Sequence, residues 1–196
     1  MRKTHFSPSF ACLSVAAAMS LGGCVSPPLE PKTVLDQRSG ATLTVVDEPL
    51  ILARERRDVA VQARDYLTLV AAEINESGHR HLVWVVHQWS TIDARAADLQ
   101  PLPGASLLLI ADGRDLRLTP INNSIANALV KSRALLPPDD ANAITTLYGI
   151  DSATLEYVAT CRHLAASFPE SRLALPFSVW RDGRPAVLRF LARVGK

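Results

Sequence analysis

Arg64-Asp-Tyr-Leu-Thr-Leu-Val-Ala-Ala-Glu-Ile-Asn-Glu-Ser-Gly-His-Arg-His-Leu-Val-Trp-Val-Val-His-Gln-Trp-Ser90 is the stretch that decides the fold. It reads as two extended arms, 64–75 and 80–90, joined by Glu76-Ser77-Gly78-His79, where the glycine takes a backbone angle that other residues resist. In the first arm Leu67, Leu69 and Ala71 share one face, and Tyr66, Val70 and Ile74 share the other. The second arm is apolar on both faces through Leu82-Val-Trp-Val-Val86. A strand of that kind belongs in the middle of a sheet, with something packed over each side.

Working outward, β-branched and aromatic runs bounded by turn residues predict further strands at 42–47, 50–54, 105–111, 114–119 and 143–148. Asp112-Gly113 suits a tight hairpin between two of them. The segment 121–135 reads either as a short helix or as irregular chain ending at Pro137-Pro138. Helical spacing of Leu155, Val158, Ala159 and Ala165, with Asp151 offering its carboxylate to the first turn, predicts a helix from 151 to about 167. A strand at 173–180 follows. The proline at 185 with Val187, Leu188 and Leu191 favours a closing helix over 184–194 rather than the second arm of a hairpin. The expected class is α+β: an antiparallel β-sheet or sandwich of five or more strands, with one or two helices in the C-terminal third. Strands and helices do not alternate as a parallel α/β fold requires.

The amino terminus carries a different message. Arg2 and Lys3 precede an apolar run from about Phe10 to Met19 that is too short to span a bilayer, the pattern of an export signal. It ends in Leu21-Gly22-Gly23-Cys24, which resembles the lipobox of bacterial lipoproteins. That resemblance implies a signal peptide, 1–23, that is cleaved, and a Cys24 thiol that carries diacylglyceryl, with palmitate-class acyl chains. At about 0.8 kcal/mol for each buried methylene, one chain holds a protein reversibly and two or more hold it permanently. Val25 follows the cysteine in place of the aspartate that retains such proteins at the inner membrane. The resemblance therefore implies the periplasmic face of the outer membrane. Residues 24–32, with three prolines, read as a short extended stalk, and 33–196 as a single globular domain. The run Trp89-Ser90-Thr91-Ile92-Asp93 after a long hairpin is similar to that of other bacterial lipoproteins, a likeness that implies no activity.

Charge and cysteine content narrow the partners. Loss of residues 1–23 removes two of the 21 basic residues and none of the 19 acidic ones, so the remainder is balanced and no nucleic-acid surface is expected. Of the three cysteines, Cys12 leaves with the signal and Cys24 is acylated, so Cys161 has no disulfide partner in an oxidising compartment.

Candidate chemistry is sparse. His79 and His81, one residue apart on an extended arm, have the geometry to pinch a metal ion, against a reading as solvated residues beside a turn. His87 is roughly 20 Å further along, too far to join them. Trp89 and Asp93, at the end of the arm, are candidates for a binding edge. Trp84, Trp180, Tyr66 and Tyr148 read as core. Cys161 and His163 on one helix would point apart and share no proton. Arg54, Arg56 and Arg57, interleaved with Glu55 and Asp58, read as a solvated turn of offsetting charges. Asp93, Asp98, Asp112, Asp115, Asp139 and Asp140 fall in or near loops, where aspartate serves turns as readily as catalysis. No phosphate loop, dinucleotide glycine motif, zinc-protease motif, nucleophile elbow or Cys-x-x-Cys is present, and no cofactor is expected. The expectation is a lipid-anchored, non-catalytic envelope lipoprotein that binds another envelope component, protein or glycan. A periplasmic hydrolase using loop aspartates or a histidine, and a metal binder through His79 and His81, are the alternatives.

Overall fold

The computed structural model describes residues 30–60, 62–92, 105–140, 142–171 and 175–195. Ten strands lie among them: β1 (Lys32–Leu35), β2 (Thr42–Val45), β3 (Leu50–Glu55), β4 (Arg64–Glu76), β5 (His79–Ser90), β6 (Leu107–Ala111), β7 (Arg114–Leu118), β8 (Ile144–Gly149), β9 (Leu164–Ser167) and β10 (Phe177–Arg181). The helices are α1 (Ser124–Leu129), α2 (Ser152–Thr160) and α3 (Arg184–Val194), with one 3₁₀ turn at Arg133–Leu135.

The hairpin read from the sequence forms the centre. β4 pairs with β5 along its length, from Asp65 opposite Ser90 to Glu76 opposite His79. Ser77 and Gly78 make the turn with positive φ angles of 51° and 91°, and the Asn75 side chain accepts from Gly78 N at 3.0 Å. Glycine adopts this conformation without the steric cost that other residues carry. The second edge of β4 is shared. β3 pairs with Arg64 to Leu69, and β2 pairs with Ala72 to Asn75. From β3 the sheet continues through β10, β9 and β6 to β7, while β8 borders β5 and β1 borders β2. Every pairing is antiparallel. Beyond β7, Pro120 bridges to Tyr148 of β8, and Ile121 N donates to the Leu147 carbonyl at 2.7 Å. That bridge brings the two ends of the strand path together.

Alternation along β4 and β5 assigns the core. One face carries Leu67, Leu69, Ala71, Trp84 and Val86, joined through the ladders by Leu50, Leu52, Leu109 and Phe177. The other face carries Val70, Ala72, Val83 and Val85, beside Leu43 and Val45 of β2. The 3₁₀ turn lies over this second face, because the Leu135 carbonyl meets His87 there. Both faces of the hairpin are therefore covered, as its apolar pattern predicts. At about 1.5–3 kcal/mol for each fully buried Leu or Phe, this double burial is the main stabilising term.

Several expectations need correction. The helix beginning at Asp151 is capped as predicted, with Asp151 Oδ1 accepting from Thr154 N at 2.7 Å, but it ends at Thr160. Cys161 is extended (φ −63°, ψ 151°), and the Asp112 carboxylate accepts from the amides of Arg162 and His163 at 2.8–3.1 Å. The chain is thereby turned into β9, whose small residues lie between β6 and β10. Residues 164–167 are strand because tertiary pairing overrides their helical spacing. The stalk assigned to 24–32 gives way at Lys32, which opens β1 opposite Val45. The strand expected at 173–180 is observed at 177–181, with 172–174 outside the described residues. The open segment 120–142 forms α1, capped by Asn123 at 2.8 Å from Ala126 N, and the 3₁₀ turn. Residues 184–194 are helix.

Candidate functional site

The strongest concentration of polar groups lies where β3 meets the start of β4. The β3–β4 register sets Arg54 opposite Asp65. Arg54 is 6 % exposed, Arg56 is 3 % exposed, and Asp65 has no exposure. Arg54 Nε donates to Asp65 Oδ2 at 2.8 Å, and Arg56 Nη1 reaches the same oxygen at 3.3 Å. Ser90 Oγ donates to Asp65 Oδ1 at 2.9 Å. Arg56 also grips Asp58 through Nε and Nη2, each at 3.0 Å. That contact holds the Asp58 carboxyl below the usual carboxylate range. The arginine run is therefore no solvated turn. Alternation sends Arg54 and Arg56 inward, and Glu55 and Arg57 pair outside at 2.6 Å.

Against this buried cluster lies an open groove of about 620 Å³, lined by Arg54, Glu55, Arg57, Asp58, Arg64, Leu175, Ser178 and Trp180 among others. Trp180 is 56 % exposed. It meets the Tyr66 ring edge-on with centroids 6.3 Å apart, and the Arg64 guanidinium lies over its face at 4.5 Å. Tyr66 in turn stacks on Trp89 at 4.2 Å and 11°, and the Trp89 indole N–H donates to Thr68 Oγ1 at 3.1 Å. Three rings thus run from the sheet to the groove wall. Trp89, expected at a binding edge, stands behind this wall, and Trp180, expected in the core, forms it. Asp93 lies outside the described residues.

The remaining candidates are scattered. His79 and His81 are exposed at the hairpin end of β5, and among the described residues no group of three His, Cys, Asp or Glu is placed to hold a metal ion. His87 is fully buried, between Thr145 Oγ1 on Nδ1 at 2.9 Å and the Leu135 carbonyl on Nε2 at 2.8 Å. Since a carbonyl only accepts, Nε2 carries the proton and Nδ1 accepts from Thr145. Burial lowers the His87 pKa, partly opposed by the Leu135 carbonyl. Asp112 binds backbone amides, Asp140 accepts from Asn142 N at 2.8 Å, and Asp115 and Asp139 are on the surface without a shared cleft. Cys161 is buried and free, at the end of α2 rather than within it, and His163 lies beyond the helix. Cys24 and Asp98 lie outside the described residues.

The sequence carried one signal for the groove that reading by charge run missed. Arg54 and Arg56 alternate with Glu55 and Arg57 at strand period, one hairpin away from an aspartate in the apolar arm. Alternation of that kind marks an inward pair.

The fold and groove define a predominantly antiparallel β domain with an arginine-lined, tryptophan-walled cleft at one end of its central hairpin. Comparison with known proteins adds no relative: no family model matches the chain, no curated protein matches it, and no solved structure matches it.

Proposed function

We propose that this chain is a lipid-anchored, non-catalytic lipoprotein of the cell envelope, held through Cys24 at the periplasmic face of the outer membrane, and that it binds another envelope component, protein or glycan, in the groove walled by Trp180. The observation that carries the reading is Trp180 itself. A tryptophan 56 % exposed, backed by Tyr66 and covered on one face by the Arg64 guanidinium, serves recognition more readily than packing. The anchor rests on Leu21-Gly22-Gly23-Cys24 behind its basic and apolar flanks.

Placement supports the combination. Glu30 and Pro31 share a surface depression with Glu73, Arg80 and the end of α3. The groove lies at the opposite end of β4, eight residues from Glu73 at Asp65, roughly 25 Å away at strand rise. A ligand in the groove is thus set apart from the point where the chain arrives from its anchor. The alternatives draw less support. His87 contacts a hydroxyl and a carbonyl rather than a carboxylate, and His79 and His81 stand as a pair.

The test has two parts. Intact-mass measurement of protein extracted from membranes should give a chain beginning at Cys24 and carrying acyl mass; an unmodified amino terminus would remove the anchor. Affinity capture from solubilised envelopes should recover a component with the native chain and lose it with Trp180→Ala. Equal recovery by both would remove the groove.

A further inference from the structure

β1 ends the strand path and pairs with β2 on one side only. All of its residues are exposed, and two are large and apolar, Val34 at 37 % and Leu35 at 65 %. The phase of the ladder decides which backbone groups face outward. Asp36 N donates to the Ala41 carbonyl at 2.9 Å, one step beyond the Leu35–Thr42 pair. Hydrogen-bonded and non-bonded pairs alternate in an antiparallel ladder, so Lys32, Val34 and Asp36 bond inward to β2, and the amides and carbonyls of Thr33 and Leu35 point away from it. The far side of β2 agrees. Val46 N donates to the Ala71 carbonyl at 3.0 Å, which directs Thr44 and Thr42 towards β4 and leaves Leu43 and Val45 to β1. An open edge of donors and acceptors results, with no partner among the described residues.

This edge is complementary to itself. Antiparallel pairing of two copies about Val34 sets Thr33 opposite the second copy's Leu35, and Leu35 opposite its Thr33, so that outward groups meet outward groups. Val34 then meets its own counterpart, and Lys32 lies opposite Asp36. Both are non-hydrogen-bonded positions, where side chains approach most closely. The neighbouring registers of the same phase fail. One sets Leu35 against Pro31, which has no N–H, and the other sets Lys32 against Arg38. Asp36 has capacity for the lysine. Its Oδ2 accepts from Ser39 N at 2.9 Å and Ser39 Oγ at 2.8 Å, and its Oδ1 from Ser132 Oγ at 3.0 Å. Burial raises its pKa, but these hydrogen bonds more than offset the rise and hold the carboxyl below the usual carboxylate range. Each carboxylate oxygen accepts more than one hydrogen bond.

We propose that β1 is a self-association edge, on which a second copy of this chain pairs antiparallel about Val34 to make one continuous sheet across a two-fold axis, with a Lys32–Asp36 ion pair at each end of the contact. The partner is a second copy because charge and hydrogen-bond phase come into match under the same two-fold, a condition that pairing with an unrelated strand does not impose. The contact covers Val34 and Leu35 and requires neither the groove nor the lipid anchor.

The experiment is disulfide trapping in the full chain under a mild oxidant, read as dimer on a non-reducing gel. Only the residue on the axis meets its own counterpart, at a Cα separation of about 4.5 Å, within the range a disulfide spans. The Lys32 residues of the two copies are four positions out of step, roughly 13 Å apart at strand rise, and cannot be bridged. Val34→Cys should therefore give dimer about tenfold faster, or more, than Lys32→Cys or the native chain. In the Val34→Cys background, Leu35→Pro removes an outward amide without touching the ladder to β2 and should abolish trapping. Lys32→Glu leaves the backbone intact and sets two carboxylates against each other; it should slow trapping about two- to tenfold. Far-ultraviolet circular dichroism reports whether each variant is folded. No dimer from Val34→Cys, as when another segment or a foreign strand covers the edge, overturns the proposal. So does equal trapping at Lys32→Cys, or trapping that Lys32→Glu leaves unchanged.

Discussion

Arg54 and Asp65 face each other across the β3–β4 ladder and meet there, Nε to Oδ2 at 2.8 Å, with side-chain exposures of 4 % and 0 %. Replacing Asp65 alone leaves two buried guanidinium groups without their shared partner. Asp65→Ala is expected to cost about 3–5 kcal/mol in urea denaturation. The double change Arg54→Met, Asp65→Leu should recover most of that, since Arg56 keeps its two contacts to Asp58. A single and a double variant of equal stability would show that the pair is not the cause.

Gly183 caps the amino end of α3 against the backbone of the β2–β3 connection. A Cβ there would lie 2.6 Å from Leu50 N and closer still to the Pro49 carbonyl. Neither contact can give way by rotating a side chain. Gly183→Ala should destabilise the domain by about 1–3 kcal/mol, the range of overpacked sites. Gly113→Ala makes a useful control for crowding, because nothing lies within 4 Å of its Cβ position; any loss there comes from its positive φ of 81°. Thermal unfolding of the two variants separates the causes.

His87 predicts an acid sensitivity. Its folded pKa lies below the ordinary 6.5 through burial, so between the two values the unfolded chain binds more protons than the folded one. Stability from this residue is therefore complete above about pH 6.5 and declines as pH falls through the folded pKa. Chemical denaturation from pH 7.5 to 4.5 should show a slope that His87→Gln reduces. An unchanged slope would place the acid-sensitive group elsewhere.

Tyr148 predicts the opposite edge. Burial pushes its phenol up to about 12, and its hydroxyl donates to the Ala105 carbonyl at 3.1 Å. The folded chain then holds a proton that the unfolded chain loses near 10, so stability falls as pH rises from 10 towards 12. Ultraviolet titration should find one tyrosine ionising only with unfolding, and that step should vanish in Tyr148→Phe.

Thiol counting joins the fold to the anchor. Burial raises the Cys161 thiol pKa, and its Sγ donates to the Val158 carbonyl at 3.2 Å. On the proposed processing, in which Cys12 leaves with the signal and the Cys24 sulfur is alkylated, protein extracted from membranes should resist a thiol reagent at pH 8 and release one thiol per chain in denaturant. Two or three thiols would contradict acylation.

The hairpin was legible because both arms carry their own pattern: alternation in β4, continuous apolar character in β5, and a glycine where the backbone turns. Asp151 was legible as a cap for the same local reason. Residues 164–167 were not, because Leu-Ala-Ala-Ser has no strand preference of its own, and only its position between β6 and β10 makes it one. The groove was half visible. Its tryptophans could be named, but which of Trp89 and Trp180 meets solvent depends on how β10 pairs with β3, where the register shifts between Val179 and Arg181. Trp180 falls by alternation on the Ser178 side of β10, opposite Phe177 and Val179, and only the pairing of β10 with β3 decides that this side meets solvent.

One joint in the sheet is thinner than the rest. Pro120 opposite Tyr148 is an isolated bridge, where every other neighbouring pair of strands is held by a ladder. Breathing of the domain should therefore begin there, with β8 amides exchanging for deuterium before those of β4. Each such opening bares the free side of β8, an unpaired edge of the kind that templates a second copy. Warming concentrated protein should produce β-rich aggregates seeded at Ile144–Tyr148, and a lysine at Thr146 should delay them.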